Sequence, residues 1–493
     1  MKSGFEVVIG LEIHVQLLTR SKMFCACRNE YGGAPNAHTC PVCLGLPGAL
    51  PVLNKEAVRM ALALGLALEA RIQPESIFYR KQYFYPDLPK GYQITQGPVA
   101  LVEEGCVSIA GDPEVRGSAA PVRIRIERAH LEEDAGKSNH ELSDKATYVD
   151  LNRAGVPLLE IVGGPDLRSA NEAYDYLKAL HKLVVFLGIC DGNMEEGSFR
   201  CDANVSVRRV GDEAFGTRVE VKNLNSFRNV KLAIEHEASR HIAMLEKGQT
   251  FTQETRGWDA DKGETKAQRT KEAAMDYRFF PEPDLPALAI SKDEIEQVRR
   301  TLPELPEARG DRFVRDYGVT DYEAGMLLQN RAFADYFEAV ANASKGKQGK
   351  QGKQGKQAAN WMLGEVSRTL NDTGGKIETL GLAATHLAEL IQLVEAKTIN
   401  LNTAKEAVFP ALLKGEGTPR QIVEKQGLTQ VSDRDAIETL VQEAIRAHPE
   451  QLAQLKAGNE KLKGFFVGQV MKAGKGKVNP QLVNEILEAA FAE

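Results

Sequence analysis

Residues 7–17 read VVIGLEIHVQL, and the pattern in this stretch decides the fold of the first half of the chain. Its odd positions, Val7, Ile9, Leu11, Ile13, Val15 and Leu17, are all apolar, while its even positions include Glu12, His14 and Gln16. Strand side chains alternate between faces at a rise of about 3.3 Å per residue, which predicts a strand with one wholly buried face. On the other face Glu12 and His14 project together, their Cα atoms roughly 6.6 Å apart. That is the reach of one metal ion or one proton transfer.

The pattern recurs outward from this strand. Arg123, Arg125 and Glu127 alternate with Val122, Ile124 and Ile126; Arg200, Asp202 and Asn204 with Phe199, Cys201, Ala203 and Val205; Arg218, Glu220 and Lys222 with Val219 and Val221. One such face is ordinarily just solvated. Four faces carrying His, Asp, Asn, Glu and Arg together point to a concave polar site. HLEEDAGK adds Glu132, Glu133 and Asp134 directly after a strand, and GVPLLEIVGG embeds Glu160 in an apolar run. A buried carboxylate needs a cation or a metal beside it, or it is a structural ion pair.

Carboxylates with one histidine and no thiolate form a hard, oxygen-rich set that suits Mg²⁺ better than zinc, and Mg²⁺ points to phosphate chemistry. The usual nucleotide loop is missing, because the GKS at Gly136–Ser138 has Leu131 where the loop needs glycine. Basic residues such as Arg80 and Lys81, in RKQYFYPDLPKGYQ, are then the candidates for holding ATP. Cys25, Cys27, Cys40 and Cys43 form CxC, twelve residues, then CxxC, the spacing of a closed structural Zn²⁺ site. Cys106, Cys190 and Cys201 read as core residues.

At 493 residues the chain exceeds the size of a single core, so several domains are expected. Its 43% apolar and 26% charged content is that of a globular protein, with no apolar run of membrane-spanning length. Seven cysteines, an odd number, and an N-terminus that runs straight into a strand predict a cytoplasmic protein without a disulfide framework. The net charge of −6 says little about partners, because what matters is where the lysines and arginines cluster.

Residues 1–290 read as an α+β domain with a mainly antiparallel sheet, containing helices at Ser169–Leu187, with Ser169 and Glu172 spaced as a capping box, and at Asn225–Lys247. The prolines of YRFFPEPDLP, Tyr277–Pro286, make an extended connector. Beyond it Ser291 and Glu294 are spaced as a capping box. Residues 291–405 read as an all-α helical domain and 406–493 as a small all-α tail. Four GKQ triplets at Gly346–Gln357 have no apolar face and read as a flexible basic loop.

VIGLEIHVQL, KMFCAC, RKQYFYPDLPKGYQITQ, HLEEDAGKS, VDLNRAGVPLLEIV, MEEGSFRCDANVSVR, EVKNLNSF and DYRFFPEPDLP stand in order over residues 8–286, and LKGFFVGQVMKAGKGKVNPQLVNEIL closes the chain. With these motifs the chain resembles the B subunits of the bacterial aspartyl/glutamyl-tRNA(Asn/Gln) amidotransferases over essentially its whole length. The resemblance implies a cradle domain, a helical domain and a YqeY-like tail. It implies that ATP phosphorylates the side-chain carboxylate of Glu-tRNA(Gln) and/or Asp-tRNA(Asn), and that ammonia then displaces the phosphate. It also implies that Glu12, His14, Glu133 and Glu160 are the catalytic residues, with Glu12, His14 and Glu133 at Mg²⁺ and Lys81 near the phosphates. Glu132 and Glu133 are close to a tie for that place. The GKQ repeat departs from the family's pattern.

The chain carries no Ser-Ser pair of the amidase kind and no N-terminal Cys nucleophile, so its ammonia must come from a partner. The resemblance names an amidase A subunit and a small C subunit. Lys461, Lys463, Lys472, Lys475 and Lys477 occur with no acidic residue between 461 and 477, which makes Lys472, Lys475 and Lys477 candidates for gripping tRNA phosphates. A rival reading is a non-catalytic, zinc-stabilised tRNA-binding factor. It leaves Glu12, Glu133 and Glu160 without a use, since carboxylates repel phosphate unless a metal intervenes. A free-standing ammonia-dependent ligase is the second rival.

Overall fold

The computed structural model describes residues 4–492 apart from 141, 144, 271–276, 345–350, 431–433, 457–458, 460–461, 475–477 and 479. The chain divides into two compact units, Met1–Pro306 and Glu307–Glu493.

The first unit is built on a 12-stranded sheet. Its strands are β1 (Phe5–Gln16), β2 (Arg71–Ile72), β3 (Phe78–Gln82), β4 (Tyr92–Gln96), β5 (Val102–Ala110), β6 (Pro121–Glu133), β7 (Pro157–Gly163), β8 (Phe199–Arg209), β9 (Val219–Leu224), β10 (Glu254–Asp259), β11 (Glu264–Thr270) and β12 (Phe280–Pro281). The order is β11-β10-β9-β8-β1-β7-β6-β4-β3-β12, with β5 also on β6 and β2 on β5. Only β9 and β10 run parallel; the other pairs are antiparallel.

β1 lies at the centre, and its alternation is as the sequence predicts. Ile9, Leu11, Ile13, Val15 and Leu17 are all within 1% of full burial. Burying each such side chain contributes about 2 kcal/mol. They pack in one core with α1 (Lys55–Ala67), α2 (Ala170–Phe186) and α3 (Phe227–Glu246). The three helices cover the apolar side of the sheet, which leaves the polar side of β1 open.

Each helix starts at a polar cap. Asn54 accepts from the Glu56 N–H, Ser169 from Glu172 and Ser226 from Asn229. The Glu172 side chain does not close a box with Ser169; it accepts from Arg116 and from the Arg168 and Asp112 N–H groups. α4 (Lys292–Thr301) does carry the expected reciprocal box between Ser291 and Glu294.

The long strand β6 changes phase midway. Ile124 and Ile126 face the core, but so do Ala129 and Leu131, because against β7 the pairing passes from Arg128 to Ile126 while β7 advances one residue. This β-bulge moves the even residues His130 and Glu132 to the open side of the sheet. Arg123 and Arg125, before it, stay exposed.

The second unit is helical, as its periodicity predicts. α5 (Pro306–Tyr317), α6 (Asp321–Leu327), α7 (Arg331–Ala343), α8 (Gln351–Trp361), α9 (Ala384–Glu395) and α10 (Pro419–Lys425) precede a small bundle of α11 (Arg434–Ala447), α12 (Pro449–Lys456), α13 (Leu462–Ala473) and α14 (Pro480–Ala492). That bundle has a core of its own, around Ile437, Val441, Phe466, Val470 and Val483. The flexible loop expected over 346–357 is not found in its second half. Residues 351–357 are helical, because Gly355 packs directly on Tyr317 and the Lys356 ammonium lies 2.6 Å from Glu323. Residues 346–350 lie outside the described residues. Among the described residues no helix is long and apolar enough to cross a membrane.

Candidate active site

The open face of β1 meets those of β6, β7 and β8 in a cleft of about 710 Å³. Cross-strand register builds its floor. His14 stands opposite Glu160 on one side and Arg200 on the other, Glu160 stands opposite His130, and Glu12 opposite Asp202.

Two histidines and three carboxylates converge there. His14 Nε2 lies 3.4 Å from Glu160, 3.7 Å from Glu132 and 3.9 Å from Glu12. His130 Nε2 lies 3.4 Å from Glu160 and 3.7 Å from Glu132. Burial disfavours charge on His14, but Glu160 and Glu132 more than offset it and its pKa rises. The same contest pushes His130 up to about 9. Glu160 is held far below the usual carboxylate range: burial opposes this, and His130 and His14 override it. Glu12 moves the other way, raised by burial and by the neighbouring Glu160.

These directions describe carboxylates crowded in a half-buried site. Glu12, His14 and Glu160 offer ligand atoms to one point, and so do His130, Glu132 and Glu160. The donor set is oxygen-rich, and Glu12 is a carboxylate whose charge a cation would stabilise, so the residues fit a hard divalent ion such as Mg²⁺. His130 and Glu132 carry no alternating signal in the sequence, because the bulge in β6 hides their face.

Other expected residues lie elsewhere. Glu133 points to the opposite side of β6, where it pairs with Lys90 and accepts the Ile94 N–H at 2.9 Å. Arg80 holds Glu282 at 2.7 Å and stacks on Tyr92 at 4.3 Å, whereas Lys81 lines the cleft. Further charged groups stand in the cleft wall: Asp134 accepts from Gln16 and Arg200, and Lys222 pairs with Asp202 and Glu220.

Cys25, Cys27, Cys40 and Cys43 come together with their sulfurs within 4.8 Å of one another. Cys40 and Cys43 are 3.9 Å apart, close to the ~3.8 Å between two ligands of a tetrahedral zinc with ~2.3 Å bonds. Cys43 is lowered to about 4 by the hydrogen bond from Cys25 and by Lys22, against burial. The fully buried Lys22 ammonium lies 3.7 Å from that sulfur and 2.7 Å from the His38 carbonyl. A cation there offsets the negative charge of a four-thiolate metal centre, so the residues fit zinc. The cluster ties down the loop between β1 and α1, and it lies apart from the polar cleft.

Residues 7–296 match the GatB/GatE catalytic domain family and residues 335–491 the GatB domain family. The chain belongs to the tRNA-dependent amidotransferase B-subunit family. It is 54% identical over 484 residues to the B subunit of the aspartyl/glutamyl-tRNA(Asn/Gln) amidotransferase of Alkalilimnicola ehrlichii, covering 98% of each chain. The corresponding proteins of Halorhodospira halophila and Geobacter sulfurreducens are 54% and 52% identical, again over 98% of each chain. Family membership makes the chain an enzyme subunit that works with other subunits on tRNA. Of the tail lysines expected to meet that tRNA, Lys472 sits in the last turn of α13. Lys475 and Lys477 lie outside the described residues.

Proposed function

We propose that this cleft activates the side-chain carboxylate of Glu-tRNA(Gln) and/or Asp-tRNA(Asn) with ATP and amidates it with ammonia supplied by a partner amidase A subunit. The observation that carries the reading is the convergence of Glu12, Glu132 and Glu160 on His14 and His130. A pocket made only to grip phosphates gains nothing from three carboxylates, which repel phosphate.

Glu12, Glu132 and Glu160 would hold Mg²⁺, which when bound neutralises phosphate charge. His14 and His130 orient Glu160 and Glu132 and carry protons at Nε2. Lys81 faces the phosphates, while Arg80 stays with Glu282 as a structural pair. Glu132 takes the place expected of Glu133, and Glu133 serves packing through Lys90. A free carboxylate is a poor acyl donor, and its acyl phosphate is an activated one. Ammonia attack then needs a base to take a proton; Glu160, which its two imidazoles hold far below the usual carboxylate range, serves as a ligand for the metal and not as that base. Four-thiolate zinc would brace the loop at residues 25–43. A small C subunit would complete the complex, the tail would grip tRNA through Lys472, Lys475 and Lys477, and the enzyme would be cytoplasmic.

The test is to assemble the chain with its amidase partner and measure ATP hydrolysis and amide formation on each mischarged tRNA. Amide formation that requires ATP and collapses in His14→Ala is expected. Full rates in His14→Ala, or amide made without ATP, would refute the reading.

A further inference from the structure

A row of aromatic rings starts in the cleft wall at Tyr83 and continues through Tyr85, Tyr277 and Phe279, which do not line the cleft. Tyr83 lines the cleft beside Lys81. Its ring meets Tyr85 edge to face at 5.9 Å and Tyr277 at 6.2 Å, and Tyr277 meets Phe279 at 5.9 Å. The end rings are open to solvent, Tyr85 by 54% and Phe279 by 53%. The Lys81 ammonium lies 5.0 Å from the Tyr277 ring centre and 5.9 Å from that of Tyr83. Linked rings with exposed faces beside a cation are how proteins hold unpaired nucleotides, because every base offers a π face.

We propose that Tyr85 and Phe279 stack on the unpaired 3′-terminal nucleosides of the tRNA and so present the aminoacyl group to the cleft. This rests on the function proposed above. Its chemistry demands such a surface. The amino acid is esterified to the last nucleoside, so when its side-chain carboxylate reaches Glu12 and Glu160 that nucleoside must lie one aminoacyl length away, at the cleft mouth. Stacking there orients the end of the RNA without reading a base, which suits an end shared by all tRNAs. Tyr85 and Phe279 are positioning residues: they touch the tRNA end and leave the chemistry to the carboxylates.

The experiment is a thermodynamic cycle on the assembled enzyme. The affinity of deacylated tRNA, intact or lacking its terminal adenosine, is measured for the wild type and for the pair variants Tyr85→Ala/Phe279→Ala and Tyr85→Phe/Phe279→Tyr. Losing a stacked base should weaken wild-type binding about 10-fold. The alanine pair should lose about as much with intact tRNA and little more with trimmed tRNA, and the aromatic pair should bind like the wild type. Losses that multiply, an alanine pair that binds intact tRNA normally, or one that loses only subunit assembly overturn the inference. Wild-type amide formation in the same preparation separates the two readings. If amide is absent the proposed function fails; if it is made while the losses multiply, only the stacking fails.

Discussion

His14 and Glu160 face each other across β1 and β7, paired in register and 3.4 Å apart at their side-chain tips. His130 closes on the same carboxylate from β6 at 3.4 Å, so Glu160 is clamped between two imidazoles. Replacing Glu160 with Gln removes the charge and keeps the shape. Amide formation in the assembled enzyme should fall about 10²- to 10³-fold, the scale of losing one preorganised electrostatic group. Single-turnover rates, with circular dichroism to verify folding, measure this; a loss under threefold would remove Glu160 from the mechanism.

Glu132 and Glu133 should behave oppositely. Glu132→Gln should cost about 10²-fold in amide formation with little change in stability. Glu133→Gln should leave the buried Lys90 without its partner and destabilise the first unit by about 3–5 kcal/mol. Urea titrations and rates on the two variants separate them, and equal effects on both quantities would contradict their placement on opposite faces.

The sulfur cluster makes a claim about structure and not about rate. Atomic absorption should find one zinc per chain, lost in Cys43→Ser. Hydrogen exchange should then rise in residues 21–54 while the strands of the sheet stay protected. Zinc-free protein with unchanged protection of that loop would show that the four thiols are not a metal site.

Acid stability should report on Glu237, fully buried on α3 and held by Arg240 at 2.6 Å and His241 at 3.1 Å. Burial raises its pKa, but His241 and Arg240 carry it down to about 2 from a usual 4.5. A depressed carboxylate stabilises the fold fully above its unfolded pKa, and that contribution is lost as pH falls from about 4.5 through about 2. The stake is roughly 2–4 kcal/mol. Stability of Glu237→Gln measured from pH 7 to pH 2 should be lower at neutral pH and flatter over that window; parallel curves would exclude the role.

In the second unit, Gly355→Ala tests the helical part of the GKQ repeat. Alanine is ordinarily the better helix former by about 1 kcal/mol. Here its Cβ would stand 2.5 Å from the Tyr317 Cβ and 2.6 Å from the Tyr317 carbonyl, neither of which can swing aside. Overpacking of about 1–3 kcal/mol should win, lowering the thermal midpoint. A stabilised variant would refute the contact.

Local alternation carried the reading of the central strand, since β1 shows its buried and polar faces in eleven residues without reference to any partner. The helix starts at Ser169 and Ser291 are local for the same reason: a side chain bonds a backbone group three residues ahead. The spacing of the four cysteines likewise limits them to one loop. The long motifs carried the family, because so many in order over residues 8–286 do not recur by chance.

Tertiary structure alone decided which glutamate of Glu132 and Glu133 enters the cleft. Carrying the parity of Arg123, Arg125 and Glu127 forward puts Glu133 on the polar face. One extra residue in β6 opposite β7 reverses that parity, because it exists only in the pairing of two strands distant in sequence. The same reversal brings in His130, which no periodicity marks. Arg80 was drawn away from the cleft by Glu282, 202 residues on. Glu12 and His14 could therefore be seen from their own strand, whereas the carboxylate and imidazole that complete their surroundings depend on how the strands register.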